Sequence, residues 1–227
     1  MKYLLVVEIQ IILILLVITL VKTEKLNEKV YNTNRFVYEV MRDNRMSELN
    51  IVNDKDIVIG EPGAPVTIFL YSRFDCDACT EFFESNYPRL KEDFIDRGMV
   101  KLVVRYLTHP TKPNTLFATK SAYYAHQAGY FDYYIEKIDS IYPVLDSNEV
   151  MLISLNFTAE HDVLDSFIHD KVFEEHILEL AEDAREAGIR FTPTLFINNR
   201  QLTGNRNYAK LNQVILSELE DVKCDER

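Results

Sequence analysis

Two cysteines separated by two residues, Cys76 and Cys79, are the side chains in this sequence best suited to redox chemistry. They follow a β-branched and aromatic run, Val66 to Tyr71, and a helical pattern begins at Cys79, so the pair lies at a strand–helix junction. The first turn of a helix favours an anion, which lowers the pKa of a thiol placed there and makes its thiolate a nucleophile. The spacing allows a small disulfide, with the first thiol exposed and the second shielded.

Two other readings of the pair remain open at this point. Half of a zinc site would need further cysteine or histidine ligands at metal spacing, but the five histidines form no such pair and Cys224 stands alone. We therefore expect no metal. An inert structural disulfide is the second alternative, although a loop this short gains little stabilisation from restricting the unfolded chain.

The elements around the cysteines predict an α/β domain. The run from Val66 is a buried strand, the helix after it ends at Gly98 and is kinked by Pro88, and Met99 to Leu107 is a second strand. A strand, a helix and a strand in this order form a right-handed parallel βαβ unit. The later segments are a helical stretch, a hairpin with asparagines in its turn and a last helix, at 114–188, 194–203 and 208–219.

The ends of the chain and its charge limit its location and partners. The 227 residues include 36 acidic and 25 basic side chains, and this net charge of -11 argues against a nucleic-acid partner. The apolar run Tyr3 to Val21 predicts a secretory signal or, because no Ala-x-Ala cleavage site follows, a retained membrane anchor. We expect a signal or anchor over 1–22, an amphipathic helical arm over 23–55, a catalytic domain over 56–222 with a helical insert at about 114–187, and a polar tail over 223–227.

Several segments, in their order along the chain, resemble the DsbA-like branch of the thioredoxin superfamily. They are GEPGAPVTIFLYS at 60–72, Phe74 with the cysteine pair, Gly129-Tyr130-Phe131, and GIRFTPTLFINN at 188–199. The resemblance implies a thioredoxin-like fold, a central mixed sheet flanked by helices, with an inserted helical subdomain. It also implies that Cys76 is the attacking or attacked thiol and Cys79 its buried partner, that Pro193 is a cis-proline preceded by Thr192, and that no cofactor is needed.

The residues between the cysteines depart from the best-known member of that branch, which has Pro-His where this chain has Asp77-Ala78. A histidine there stabilises the thiolate, whereas Asp77 and the neighbouring Asp75 oppose a second negative charge. We therefore expect Asp75, Asp77 and Ala78 to tune the couple. The predicted Cys76 pKa is higher than the roughly 3.5 of the strongest oxidants, and the predicted potential is more reducing than roughly −120 mV.

The sequence thus predicts a thiol–disulfide oxidoreductase that acts on cysteines of extracytoplasmic proteins, as an oxidase, together with a redox partner protein. A disulfide reductase or isomerase would use the same two sulfurs at a different redox poise. A third reading is a non-catalytic peptide-binding module on the same fold, because a fold does not determine a function.

Overall fold

The computed structural model describes residues 2–158, 169–198, 200–204 and 207–225, without the side chains of 2–15, 17, 223 and 225. The chain divides into two compact units, residues 1–48 and 49–227. The first unit is formed by α1, which begins at Lys2 and ends at Leu49. The predicted signal or anchor and the predicted arm are therefore parts of one continuous helix, although the arm was expected to reach residue 55.

The described side chains of α1 between residues 16 and 38 are all exposed. Within the described residues, no helix combines the length and the apolar character that crossing a membrane requires. Most side chains of the apolar run Tyr3 to Val21 lie outside the described part of the chain, so the signal or anchor stays a prediction.

The second unit is built on a five-stranded mixed sheet in the order β1-β3-β2-β4-β5. The central strands β2 and β3 run parallel, and the other three pairs are antiparallel. The strands span Ile57–Ile59, Val66–Ser72, Val100–Tyr106, Thr194–Ile197 and Arg200–Thr203. The predicted βαβ unit and the hairpin are both present. Strand β1 was missed, since three apolar residues are too few to show a strand pattern.

The helical stretch after the cysteines is not a uniform α-helix. It begins with α2 (Asp77–Glu81) and continues through α3 (Tyr87–Leu90), which contains Pro88. Instead of a simple kink at the proline, π-helical turns at Phe82–Asn86 and Lys91–Ile95 lie on either side of α3. A π-turn is one of the ways in which a helix adapts to an interrupted hydrogen-bond ladder.

Helices fill the chain between β3 and β4 and follow β5. They are α4 (Pro113–Gln127), α5 (Phe131–Ser140), α6 (Ser147–Thr158), α7 (Lys171–Glu186) and α8 (Tyr208–Asp225). The first four form the helical insert, although residues 159–168 lie outside the described part. The last helix runs past Leu219, where its end was expected, and includes Cys224.

A buried ion pair joins β3 to the segment that leads into β1. Both Arg105 and Asp56 have side chains only 2% exposed, and two hydrogen bonds of 2.7 Å connect them. Arg105 also donates to the carbonyls of Leu49 and Ile51 and to the hydroxyl of Tyr71. This network provides hydrogen-bond partners for the buried guanidinium, without which its burial would be costly.

Candidate active site

The two cysteines lie where β2 passes into the helical stretch, at the carboxyl end of a parallel strand. Cys76 is the N-cap residue of α2 and keeps an extended backbone, and its carbonyl accepts the backbone N–H groups of Cys79 and Thr80 at 2.9 and 3.1 Å. Cys76 is half-buried, whereas Cys79 is 1% exposed. Both are free thiols, so the structure shows the dithiol form.

A second segment, directly before β4, contacts Cys76 although it lies 116 residues further along the chain. The Thr192 hydroxyl donates to Cys76 Sγ at 3.4 Å, and the Cys76 thiol lies 3.5 Å from the Thr192 carbonyl oxygen, which can accept from it. The Thr192–Pro193 peptide bond is cis, as the resemblance implies, and Pro193 is buried. The fold thus brings four of the seven predicted site residues, Cys76, Cys79, Thr192 and Pro193, into one place.

The pKa values of the two thiols are shifted in opposite directions. A hydrogen bond from the Cys79 thiol is the main cause that lowers the pKa of Cys76 to about 6, against burial and with help from Thr192, the Cys79 backbone and Arg73. The pKa of Cys79 is raised well above its usual range, first by its hydrogen bond to Cys76 and then by burial. The two shifts favour a thiolate at Cys76 and a protonated thiol at Cys79.

The predicted tuning residues have partners that the sequence did not reveal. Arg73 binds the Asp75 carboxylate through two hydrogen bonds of 2.8 and 2.7 Å, and Lys112 donates to the same carboxylate. Burial raises the pKa of Asp75, but these two cations outweigh it and hold that pKa below its usual value. The sequence argument that Asp75 repels the Cys76 thiolate was incomplete, because its charge is compensated by Arg73 and Lys112.

The remaining predicted residues lie in the first turn of α2. Asp77 is exposed, and its carboxylate accepts a hydrogen bond from the Tyr142 hydroxyl, which follows α5 in the helical insert. Ala78 is half-buried. Neither Lys112 nor Tyr142 carries a sequence signal that would have placed it here, because each is far from the cysteines along the chain.

A groove of about 490 Å³ opens beside Cys76. Its lining combines apolar and basic side chains, among them Leu107, Ile189 and Phe191 with Arg73, Arg185 and Arg190. Phe191 is 70% exposed although it directly precedes Thr192. In the described part of the chain, no group of three or more histidine, cysteine, aspartate or glutamate side chains is arranged to hold a metal ion.

The sheet, the shielded dithiol and the cis-proline facing it define a thioredoxin-fold protein with a redox-type Cys-x-x-Cys pair. A family model described as thioredoxin matches residues 52–216, and the chain belongs to that family. Disulfide bond formation protein D of Bacillus subtilis is 22% identical over 170 residues, which cover 71% of this chain and 76% of that protein.

Solved structures show the same fold. The crystal structure of alpha-DsbA1 from Wolbachia pipientis has a TM-score of 0.66 at 20% identity and covers 79% of this chain and 98% of its own. Oxidised BdbD from Bacillus subtilis has a TM-score of 0.61 at 20% identity and covers 73% and 94%. The predicted thioredoxin-like fold with a helical insert is confirmed, as is the prediction of an enzyme of the DsbA-like class of disulfide oxidoreductases.

Proposed function

We propose that this protein exchanges disulfides with cysteine-containing proteins outside the cytoplasm, with Cys76 as the exchanging thiol and Cys79 as its partner. The observation that carries the proposal is the geometry of the pair: half-buried Cys76 is the N-cap residue of α2 and accepts a hydrogen bond from the Thr192 hydroxyl, whereas Cys79 is buried. The pKa shifts agree with this arrangement, lowered for Cys76 and raised for Cys79. Such a pair presents one nucleophilic thiolate to a substrate and keeps the second sulfur in reserve.

In the oxidative direction, a substrate thiolate attacks Sγ of Cys76 in the protein disulfide. The new bond joins the substrate to Cys76, the Cys76–Cys79 bond breaks, and its electron pair leaves on Cys79. A second substrate thiolate then attacks the substrate sulfur of this mixed disulfide, which releases an oxidised substrate and the Cys76 thiolate. The reductive direction runs through the same atoms in reverse, so the redox poise decides between them.

The pKa of Cys76 supports the proposal that the protein is a weaker oxidant than the strongest disulfide oxidases. A value of about 6 lies between the roughly 3.5 of DsbA and the roughly 7 of thioredoxin. Because a more stable thiolate favours the reduced protein, we expect a potential between roughly −120 and −270 mV. A value near the reducing end of this interval would favour the reductase or isomerase alternative.

The groove beside Cys76 supports polypeptide substrates. We assign Thr192 and Pro193 to substrate binding, with backbone groups facing an extended segment of the substrate. The exposed ring of Phe191 offers that segment an apolar contact next to the reactive sulfur. The same surface is also compatible with the alternative function, a non-catalytic peptide-binding module. A Cys76→Ser variant that keeps full cellular activity would favour that alternative.

The proposed location of the protein and its proposed redox partner rest on the redox chemistry of the pair and on the names of the related proteins. An oxidase that acts through its Cys76–Cys79 disulfide becomes a dithiol after each turnover and must be reoxidised, so we propose an extracytoplasmic enzyme in an oxidising compartment with a separate redox partner protein. The relatives named disulfide bond formation proteins support this placement. Membrane attachment rests on the apolar run Tyr3 to Val21 alone, and cell fractionation of the full chain with and without residues 1–22 tests it.

In the decisive experiment, the full chain is equilibrated in glutathione buffers of different redox potential. The fraction of protein with the Cys76–Cys79 disulfide is then measured by alkylation and mass spectrometry. We expect a single two-electron transition below roughly −120 mV, unchanged in a Cys224→Ser control. A potential at or above that value would contradict the proposed poise, and an absence of exchange would overturn the function. Mixed disulfides trapped with Cys79→Ser then identify the substrates.

A further inference from the structure

The groove beside Cys76 carries a charge opposite to that of the whole protein. Among the described residues, its charged lining consists of one aspartate, Asp75, and of the arginines Arg73, Arg185 and Arg190. This composition leaves a surplus of two positive charges in the groove, whereas the full sequence has a net charge of -11. A basic patch next to the reactive sulfur of an acidic protein favours a partner that is locally negative.

The three arginines differ in how free they are to bind such a partner. Arg73 already holds Asp75 through two hydrogen bonds. Arg185 forms an ion pair with Glu182, in which both side chains are more than half exposed. Arg190 is exposed and, within the described part of the chain, has no hydrogen-bond or ion-pair partner. Arg190 is therefore the cation of the groove that is best able to bind an anionic group of a substrate.

Arg190 also lies close to the point of exchange. It comes two residues before Thr192, whose carbonyl oxygen is 3.5 Å from Cys76 Sγ. Two residues of chain span at most about 7 Å, so the Arg190 backbone stays near the exchanging sulfur. Phe191, between the two, is 70% exposed and offers an apolar contact. A guanidinium group in this position can bind a substrate carboxylate through two parallel hydrogen bonds.

We propose that the substrates of this protein carry an acidic side chain within about three residues of their reactive cysteine, and that Arg190 binds its carboxylate. The inference rests on the proposed function, because it names the class of substrate that the same groove receives. An exposed arginine can also be no more than a solvated surface charge. In that case only the net charge of the protein acts on substrates, and it favours basic ones. The two interpretations thus predict opposite preferences.

The test measures how fast the oxidised full-length protein reacts with synthetic peptides that contain one cysteine and a shared apolar residue. One set carries glutamate, glutamine or lysine two residues before the cysteine, and a second set carries them two residues after it. The peptide thiolate attacks Cys76 Sγ, and Cys79 leaves with the electron pair, so each rate constant is divided by the fraction of peptide present as thiolate. At an ionic strength of about 0.15 M, charges more than about 8 Å away are largely screened.

In at least one set, we expect the wild type to react with the glutamate peptide roughly three- to fivefold faster than with the glutamine peptide. The lysine peptide should react most slowly. Arg190→Gln should bring the ratio of glutamate to glutamine rates close to one, and Arg190→Glu should make the lysine peptide the fastest. Arg190→Lys keeps the charge without the planar fork and should retain part of the preference. A ratio of rates within one variant does not depend on how much of that variant is folded.

The matched control is Arg200→Gln, which removes the same charge from β5, where Arg200 pairs with Glu218 outside the groove. This variant should keep the wild-type preference. The inference would be overturned if the wild type reacted equally with the glutamate and glutamine peptides of both sets, or with glutathione but with no peptide. An equal loss of preference in Arg200→Gln and Arg190→Gln would also overturn it. A wild type that reacts with neither the peptides nor glutathione would overturn the proposed function instead.

Discussion

The hydrogen bond from Thr192 to Cys76 provides a direct test of how the fold activates this thiol. Thr192→Val keeps the shape of the side chain and removes the hydroxyl that lies 3.4 Å from Cys76 Sγ. A hydrogen bond to an ionised group contributes about 1.5–3 kcal/mol. Since Cys76 is half-buried and water competes, we take the lower end, which corresponds to about one pH unit in the pKa.

The expected pKa of Cys76 in Thr192→Val is therefore higher than the wild-type value of about 6 by roughly one pH unit. The thiolate stabilises the reduced protein, so its loss makes the couple more reducing. At pH 7 part of the thiol stays ionised in the variant, which reduces the cost to about 1 kcal/mol and the change in potential to about 20 mV.

The assay is a titration of thiolate absorbance in the ultraviolet, paired with the glutathione equilibrium of the same full-length variant. The matched control is Thr203→Val, the same change on β5, where the hydroxyl accepts from Gln201 and does not face the sulfurs. An unchanged titration midpoint in Thr192→Val, or an equal change in the control, would refute the reasoning that this hydroxyl activates Cys76.

Two further predictions concern stability. Arg105→Met leaves Asp56 buried without its partner and should lower the free energy of unfolding by about 3–5 kcal/mol in urea titrations. The control is Lys137→Met, which removes an exposed pair with Glu136 and should leave the unfolding midpoint almost unchanged; equal losses in the two variants would contradict the argument. Burial, with Glu84 nearby, raises the pKa of Asp139 to about 7. The folded state then holds this proton more tightly than the unfolded state, so stability falls as pH rises from about 4 to about 7. Asp139→Asn should weaken that fall, and an unchanged pH profile of urea unfolding would speak against a raised pKa.

The local features of the site could be predicted from the sequence. The strand before Cys76, the helical pattern from Cys79 and the hairpin after Pro193 depend on neighbouring residues, whose patterns are visible within a few positions. The family resemblance carried by the ordered motifs, including Gly188 to Asn199, indicated the fold class and pointed to Pro193 as the residue that faces the cysteines. Short or irregular elements leave no such local pattern: β1 has three residues, and its place at the sheet edge depends on pairing with β3.

The electrostatics of the site depend on contacts that no local pattern encodes. The sequence shows Asp75 beside Cys76 and suggests repulsion, but folding brings Lys112 to the same carboxylate and aligns Arg73 with it. The opposite pKa shifts of the two thiols arise first from the hydrogen bond between them and then from burial and from Thr192, neither of which a local pattern shows.

The amino-acid sequence by itself therefore determined which atoms exchange electrons, because thiol chemistry and its two-residue spacing are local properties. The first turn of α2 already pointed to Cys76 as the ionised thiol, and only the tertiary structure decided which other groups stabilise its thiolate. A pKa depends on desolvation, on charges and on hydrogen bonds within a few ångströms, and in this protein several of those groups come from residues such as Thr192, 116 positions away along the chain.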